Sequence, residues 1–159
     1  MKSLNYLMLV LAVALSSALS SLNAQTVVIN KKQFSLVVVD DRNDTIFTAP
    51  VCVGKNFGDK QRPGDMRTPE GNFSISQIQD ASAWTHDFKD GAGERKGAYG
   101  PYFMRLRMPR WTSIGIHGTC FPASIGIRDS EGCVRLHNED LVKLRQLVKV
   151  GTKVTILPD

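Results

Sequence analysis

The sequence predicts a mainly β domain with one α-helix in its C-terminal half. Short apolar runs rich in β-branched residues recur along the chain and are separated by turn residues, which is typical of strands. Only one stretch, near the end, has apolar residues at helical spacing. The length of 159 residues, with 42% hydrophobic and 22% charged residues, fits a single globular core.

The sequence between residues 26 and 54 favours extended structure. Strand-like runs occupy Thr26–Asn30, residues 33–41 (QFSLVVVDD) and residues 45–54 (TIFTAPVCVG). The Asn and Asp residues of DDRND, at 40–44, favour a tight turn, so the second and third runs are predicted to form a hairpin.

Two long polar segments follow. Residues 54–71 are rich in glycine and proline and lead into a strand at 72–78, and a loop of this length is more often functional than idle. Residues 79–100 are polar and glycine-rich, which indicates a mobile surface excursion and not a packed element.

The last third contains the helix. Strands are predicted at 102–108 (YFMRLRM), 113–118 (SIGIHG) and 152–159 (TKVTILPD). Between the last two, Asn138 is a good N-cap for a helix from about Glu139 to Val148, which Gly151 ends. The apolar side chains at helical spacing are Leu141, Leu144 and Val148, and Glu139 and Asp140 supply acidic charge in the first turn.

Residues 1–24 read as a secretory signal peptide, with one lysine, an apolar run and a small-residue pattern that ends at Ala24. Serines interrupt the run before the roughly 20 apolar residues that a spanning helix needs. We therefore expect a mature domain of residues 25–159, exported to the periplasm or cell envelope and not held in a membrane after cleavage.

The charge balance narrows the choice of partners. The net charge is +5, and cleavage removes only Lys2. A basic balance suits a carboxylate-rich partner, although a solvated basic surface is equally consistent with it. The positive residues are scattered and the chain is exported, so nucleic acid is excluded as a partner.

Three cysteines in an exported chain leave at least one thiol unpaired. Cys52 lies in an apolar run and is either a buried hydrophobe or a disulfide partner for Cys120. Cys133, in the polar loop RDSEGCVRL, is the candidate reactive thiol, and His117 in IHGT is a candidate base for it. Gly132 allows close backbone approach, so the amides of Gly132 and Cys133 are candidate oxyanion donors.

The residues alone leave alternatives open. Cys133 and His117 could both be buried structural residues, and His86 and His137 compete for the role of base. The chain has no CxxC, HxxxH or HExxH spacing, so we expect no metal and no other cofactor.

Three motifs in order resemble the L,D-transpeptidase catalytic domain family, also called YkuD-like. They are RTPEGNFSI, the strand GAYGPYFMRL, and the stretch from IGIHGTC through SEGCVRL into the Asn-capped helix. The resemblance covers about residues 26–157. It implies a β-sandwich of mixed sheets with one helix.

The resemblance also implies residue roles. Cys133 would be the nucleophile and His117 its base, with a backbone carbonyl near Gly118 orienting the imidazole. Ser130 would shape the cysteine loop, and Arg135 would either hold a substrate carboxylate or brace the loop.

The implied function is acyl transfer on peptidoglycan stem peptides, in which Cys133 forms a thioester at a diaminopimelate carbonyl and passes it to an amine. An L,D-carboxypeptidase or endopeptidase that uses water, a non-catalytic wall-binding module and a secreted cysteine peptidase are the alternatives. We expect a monomer, with acceptor selection in the segments 54–71 and 79–100.

One position departs from the family. Many members have histidine before the Gly-Cys pair, where this chain has Glu131. A carboxylate close to the thiol would raise the thiol pKa, unless it points to solvent.

Overall fold

The computed structural model describes residues 25–159, so the predicted signal peptide lies outside the described residues. The domain is mainly β with one α-helix in the part described, as predicted. The strands are β1 (Thr26–Asn30), β2 (Ser35–Val39), β3 (Thr45–Pro50), β4 (Val53–Gly54), β5 (Gly71–Asp80), β6 (Thr85–Asp87), β7 (Glu94–Lys96), β8 (Tyr102–Arg107), β9 (Gly115–His117), β10 (Arg128–Ser130), β11 (Val134–Arg135) and β12 (Lys153–Leu157). The helix α1 spans Asn138–Leu147, and a 3₁₀ turn lies at Pro122–Ser124.

Eight strands form one mixed, curled sheet in the order β11-β9-β8-β5-β12-β1-β2-β3. The pairs β1–β12 and β9–β11 are parallel and the other neighbours are antiparallel. Two small sheets, β4–β10 and β6–β7, complete the described fold. The candidate residues His117, Cys133 and Arg135 lie at the β9–β11 end of the large sheet.

The predicted hairpin between β2 and β3 is confirmed. The Asp40 carboxylate closes its turn by accepting hydrogen bonds from the amides of Arg42 and Asp44, both at 2.9 Å. Asn43 adopts φ +63°, a left-handed conformation that asparagine tolerates well.

Burial alternates along the strands as a half-buried sheet requires. β1 and β2 each bury every second residue, and Val27, Ile29, Leu36 and Val38 are fully buried. The helix turns Leu141 and Leu144 into the same core, and each is 0% exposed. Within residues 25–159, no helix is long and apolar enough to cross a membrane.

The start of the helix corrects one expectation. The N-cap position is His137, not Asn138, and its side chain makes no capping hydrogen bond. Asn138 is the first helical residue, and its Oδ1 instead accepts a hydrogen bond of 2.9 Å from the amide of Thr119. A residue type that suits a helix start is used here to hold the chain that follows His117.

Candidate active site

Strand pairing brings Cys133 and His117 to one cavity. β11 runs parallel to β9, with Val134 opposite Ile116 and Arg135 opposite His117, and Cys133 immediately precedes β11. Alternate residues of a strand share a face. Cys133, Arg135 and His117 accordingly line the same cavity of about 650 Å³.

The imidazole of His117 is held in one tautomer. Its Nδ1 lies 2.6 Å from the carbonyl oxygen of Gly118, which can only accept, so Nδ1 carries the proton and donates. The ring stacks on Phe103 at 5.4 Å and 16°. Burial lowers the pKa of His117 from 6.5 to about 3, because the charged form loses its hydration. At neutral pH the ring is therefore uncharged, with the lone pair on Nε2.

Close backbone packing fixes the Gly118 peptide. The Gly118 amide donates to the carbonyl of Tyr99 at 2.8 Å. A Cβ at Gly118 would overlap Oδ1 of Asn138 and lie 2.9 Å from the Cα of Gly100. The Gly118 carbonyl thus has little freedom to turn away from the imidazole.

A glycine in β9 makes room for the ring beneath His117. A Cβ at Gly115 would lie 2.5 Å from the Phe103 ring. Sequence reasoning did not identify Phe103 or Gly115 as site residues, although an isolated glycine inside the strand pattern SIGIHG signals a close approach. The glycine lets Phe103 lie flat against the imidazole.

The thiol of Cys133 is half-buried, and its Sγ lies 3.5 Å from the carbonyl oxygen of Ser113. Burial raises the pKa of Cys133 above its ordinary value of 9.0. The Gly115 amide and the charge of Arg135 oppose that rise, while Glu131 adds to it. The thiol and the imidazole are therefore both neutral at pH 7.

Ser130 holds the cysteine loop closed. Its buried hydroxyl donates to the carbonyl of Cys133 at 2.5 Å and accepts from the amide of Gly132 at 3.1 Å. Gly132 has φ +129°, and a Cβ there would lie 2.7 Å from the carbonyl oxygen of Arg67, so only glycine fits. The Gly132 amide is thus already bonded and is not a free oxyanion donor, contrary to expectation. The Cys133 amide has no hydrogen-bond partner among the described residues.

Arg135 is 4% exposed and faces the cavity. Its Nη1 lies 3.6 Å from Asp129, too far for a hydrogen bond, and its guanidinium lies over the Phe88 ring at 5.4 Å. These are the guanidinium contacts found within residues 25–159, and neither is the hydrogen bond to a carbonyl that loop bracing would require. Its backbone bonds to Cys52 in both directions at 2.9 Å.

All three cysteines are free thiols, so Cys52 and Cys120 form no disulfide in the structure.

The long loop of residues 54–71 is ordered around one carboxylate. Asp65 accepts hydrogen bonds from the amides of Gln61, Arg62 and Arg67 and from Lys60 Nζ at 2.8 Å. Burial alone would raise the pKa of Asp65, but the hydrogen bond from Lys60 and those from the amides hold it well below its usual range. The loop thereby presents Lys60 to the cavity.

The cavity wall is mostly positive. Four cations line it, namely Lys60, Arg105, Arg110 and Arg135, against a single carboxylate, that of Glu131. Such a wall suits a ligand with several carboxylates.

The segment 79–100 contains packed structure, contrary to the expectation from its composition. It contains the hairpin β6–β7, and Phe88 beyond β6 packs edge-on against Phe121 at 5.1 Å. Its His86 reaches the cysteine loop, where Nε2 lies 3.0 Å from Oε2 of Glu131. Glu131 therefore does not simply point to solvent, although its side chain is 40% exposed.

The two competing histidines occupy different places. His86 lines the cavity, but Glu131 and the hydroxyl of Tyr99 occupy its two ring nitrogens. His137 is the N-cap of the helix and lies outside the set of cavity-lining residues. His117 alone of the three combines a fixed tautomer with an unengaged ring nitrogen facing the cavity.

Comparison with known proteins shows which family the chain belongs to. The profile of the YkuD family, the L,D-transpeptidase catalytic domain, matches residues 24–156. The chain belongs to this family. As a family member it is 35% identical over 114 residues to YkuD of Bacillus subtilis, whose name assigns it provisionally to the L,D-transpeptidases. That match covers 72% of this chain and 55% of YkuD.

One further relative and two solved structures are less similar in sequence. YbiS of Escherichia coli is 27% identical over 143 residues, covering 84% of this chain and 44% of YbiS. The L,D-transpeptidase 3 of Mycobacterium tuberculosis, solved with a faropenem-derived adduct, superposes with a TM-score of 0.63 at 19% identity, over 85% of this chain and 60% of that one. The cell-shape-determining protein Pgp2 of Campylobacter jejuni superposes with a TM-score of 0.63 at 23% sequence identity. That match covers 86% of this chain and 49% of Pgp2. These structures share the fold, and the chain spans about half the length of YkuD and YbiS.

Proposed function

We propose that this domain is a cysteine-dependent L,D-transpeptidase that acts on peptidoglycan stem peptides. The observation that carries the proposal is that Cys133 and His117 line the same cavity. Nδ1–H of His117 donates a hydrogen bond to the Gly118 carbonyl, which leaves Nε2 to accept a proton. Membership of the family and the positive cavity wall support the same substrate class.

The first half-reaction starts from two neutral groups. His117 Nε2 takes the thiol proton as Sγ of Cys133 attacks the diaminopimelate carbonyl, and the Cys133 amide donates to the oxyanion that forms. The imidazolium, disfavoured by burial, then gives its proton to the departing D-alanine amine. A thioester on Cys133 and free D-alanine result.

The second half-reaction runs in reverse with an amine. Neutral His117 removes a proton from the acceptor amine as the amine attacks the thioester, and the thiol is regenerated. When the acceptor is the diaminopimelate of a second stem peptide, the product is a wall crosslink. Water in place of the amine would give a tripeptide, and the enzyme would then act as a carboxypeptidase.

Arg135 binds a substrate carboxylate in this scheme. Its guanidinium is buried and faces the cavity, and the nearby Asp129 carboxylate lies 3.6 Å from Nη1, beyond hydrogen-bond distance. Burial strengthens an ion pair with an incoming carboxylate, and a planar guanidinium can grip it with two parallel hydrogen bonds. Ser130 keeps its role of closing the loop.

The location follows from the same substrate. Peptidoglycan lies outside the cytoplasm, so we propose export through the signal peptide of residues 1–24 to the periplasm or cell envelope, where the domain acts as a monomer without a cofactor. A wall-binding module without activity would not need Cys133 and His117 together on one cavity.

Product analysis tests the proposal. A protein of residues 25–159 is incubated with disaccharide-tetrapeptides. The products are separated by chromatography and identified by mass spectrometry. We expect a crosslinked dimer or a tripeptide from the wild type and from Cys120→Ser, a matched thiol that does not line the cavity, but none from Cys133→Ser. Products from Cys133→Ser at the wild-type rate would refute the proposal. If the protein cleaved casein and left muropeptides unchanged, it would instead be a peptidase that acts on proteins.

A further inference from the structure

Glu131 is engaged by a residue from another part of the chain. It directly precedes the Gly132-Cys133 pair, and its Oε2 lies 3.0 Å from Nε2 of His86, which belongs to β6. The carboxylate accepts, so Nε2 of His86 carries the proton.

The second nitrogen of His86 extends the contact. Nδ1 lies 3.1 Å from the hydroxyl of Tyr99, and a neutral imidazole with its proton on Nε2 accepts the phenol hydrogen there. Both hydrogen bonds are therefore satisfied by one tautomer. The His86 ring also packs edge-on against Phe88 at 4.5 Å, which limits its rotation.

Tyr99 connects this pair to the imidazole of His117 in two ways. Its ring lies 4.9 Å from the His117 ring, and its carbonyl accepts the Gly118 amide at 2.8 Å. The carbonyl of the same residue, Gly118, accepts a hydrogen bond from Nδ1–H of His117. A continuous set of contacts thus runs from Glu131 through His86 and Tyr99 to His117.

We propose that Glu131, His86 and Tyr99 form a positioning chain that sets the orientation of the His117 imidazole. The inference rests on the proposed function for the role of His117. None of the three residues needs to touch the reacting atoms. The positioning chain gives the Glu131 carboxylate a structural role near the thiol. Glu131 anchors the imidazole of His86, and His86 holds the phenol of Tyr99 against the base.

A double-mutant cycle tests whether the chain acts as a unit. His86→Phe keeps a ring against Phe88 and removes both hydrogen bonds, while Tyr99→Phe removes only the hydroxyl. We expect each to lower kcat by about tenfold, and the double variant to lose no more than His86→Phe alone, because coupled residues are not additive. Thr85→Val, which removes the hairpin hydrogen bond to Glu94 at 2.8 Å, is the matched control and should leave kcat unchanged.

A conservative rescue completes the test. Glu131→Ala should match the loss in His86→Phe, whereas Glu131→Gln, whose amide oxygen can still accept from His86, should restore most of the rate. Losses in the two single variants that multiply in the double variant, or a rise in KM with kcat unchanged, would overturn the positioning chain. So would unchanged kcat in all variants.

The rate of Cys133 alkylation by iodoacetamide is measured on the same variants by peptide mapping, which separates Cys133 from the free thiols Cys52 and Cys120. This reaction needs no peptidoglycan. If the wild type were inert toward muropeptides, the proposed function would fail. The alkylation rates of the variants would still test the positioning chain. Equal alkylation rates in the wild type and in His86→Phe would overturn it.

Discussion

Acidification from pH 7 to pH 5 should destabilise the folded protein by about 2 kcal/mol through His117 alone. Burial lowers the pKa of His117 from 6.5 to about 3. Between these two values the unfolded chain binds a proton that the folded chain does not, so stability falls with falling pH. A pH of 5 lies about 1.5 units below the histidine pKa of the unfolded chain. At about 1.4 kcal/mol per unit, this difference gives a loss of about 2 kcal/mol.

Urea unfolding at pH 7 and pH 5 measures this effect. Carboxylates such as Asp65 also lose stabilising contacts on acidification, so the wild type is compared with His117→Gln, which has no titratable group at the position. The difference in unfolding free energy between the two pH values should be about 2 kcal/mol smaller in His117→Gln than in the wild type. An equal difference in both proteins would show that the imidazole is not buried in its neutral form.

Three further perturbations have defined outcomes. Asp65→Ala should cost about 3 kcal/mol, because it strands the buried Lys60, and it should raise amide hydrogen exchange in residues 54–71; unchanged exchange there would contradict the ordering role of Asp65. Gly118→Ala should lower the melting temperature and the turnover together, since its Cβ would overlap Asn138, and a fully stable, fully active variant would argue against the packing described. The alkylation rate of Cys133 should keep rising above pH 9 with no inflection near 6.5, because burial raises the thiol pKa and His117 stays neutral; a plateau from pH 7 upward would indicate a preformed thiolate.

Local patterns predicted the elements that depend on local physics. The run of residues 26–30 is rich in β-branched residues and forms β1 within the predicted bounds, with buried and partly exposed positions alternating. The helix expected at about 139–148 is found at Asn138–Leu147, because Leu141 and Leu144 recur at helical spacing and are both buried. The strand expected at 72–78 extends over Gly71–Asp80.

The misplaced expectations concern side chains whose partners are distant in sequence. Asn138 bonds to Thr119 instead of capping its own helix, and nothing in its immediate neighbours indicates that choice. The hairpin β6–β7 has a polar, glycine-rich sequence and little core of its own, so composition indicated a loop. His86 and Glu131 are 45 residues apart, and only the fold brings them together.

The candidate site was predicted unevenly for the same reason. The pairing of Cys133 with His117, and the carbonyl of Gly118 beside the imidazole, were expected from motifs, and the structure places these groups on one cavity. The Gly132 amide, predicted as an oxyanion donor, donates instead to the Ser130 hydroxyl in the structure. A hydroxyl two residues away in a closed loop can turn inward or outward, and the sequence does not specify which.

Trapping of the acyl-enzyme tests the central claim most directly. A protein of residues 25–159 is mixed with disaccharide-tetrapeptide and quenched in acid within seconds, and its intact mass is measured beside that of Cys133→Ala. We predict an adduct equal to the substrate minus D-alanine on the wild type, located at Cys133 by peptide mapping and absent from Cys133→Ala. An adduct of the same mass on Cys133→Ala, or turnover by the wild type with a Cys133 that never becomes acylated, would contradict the thioester mechanism.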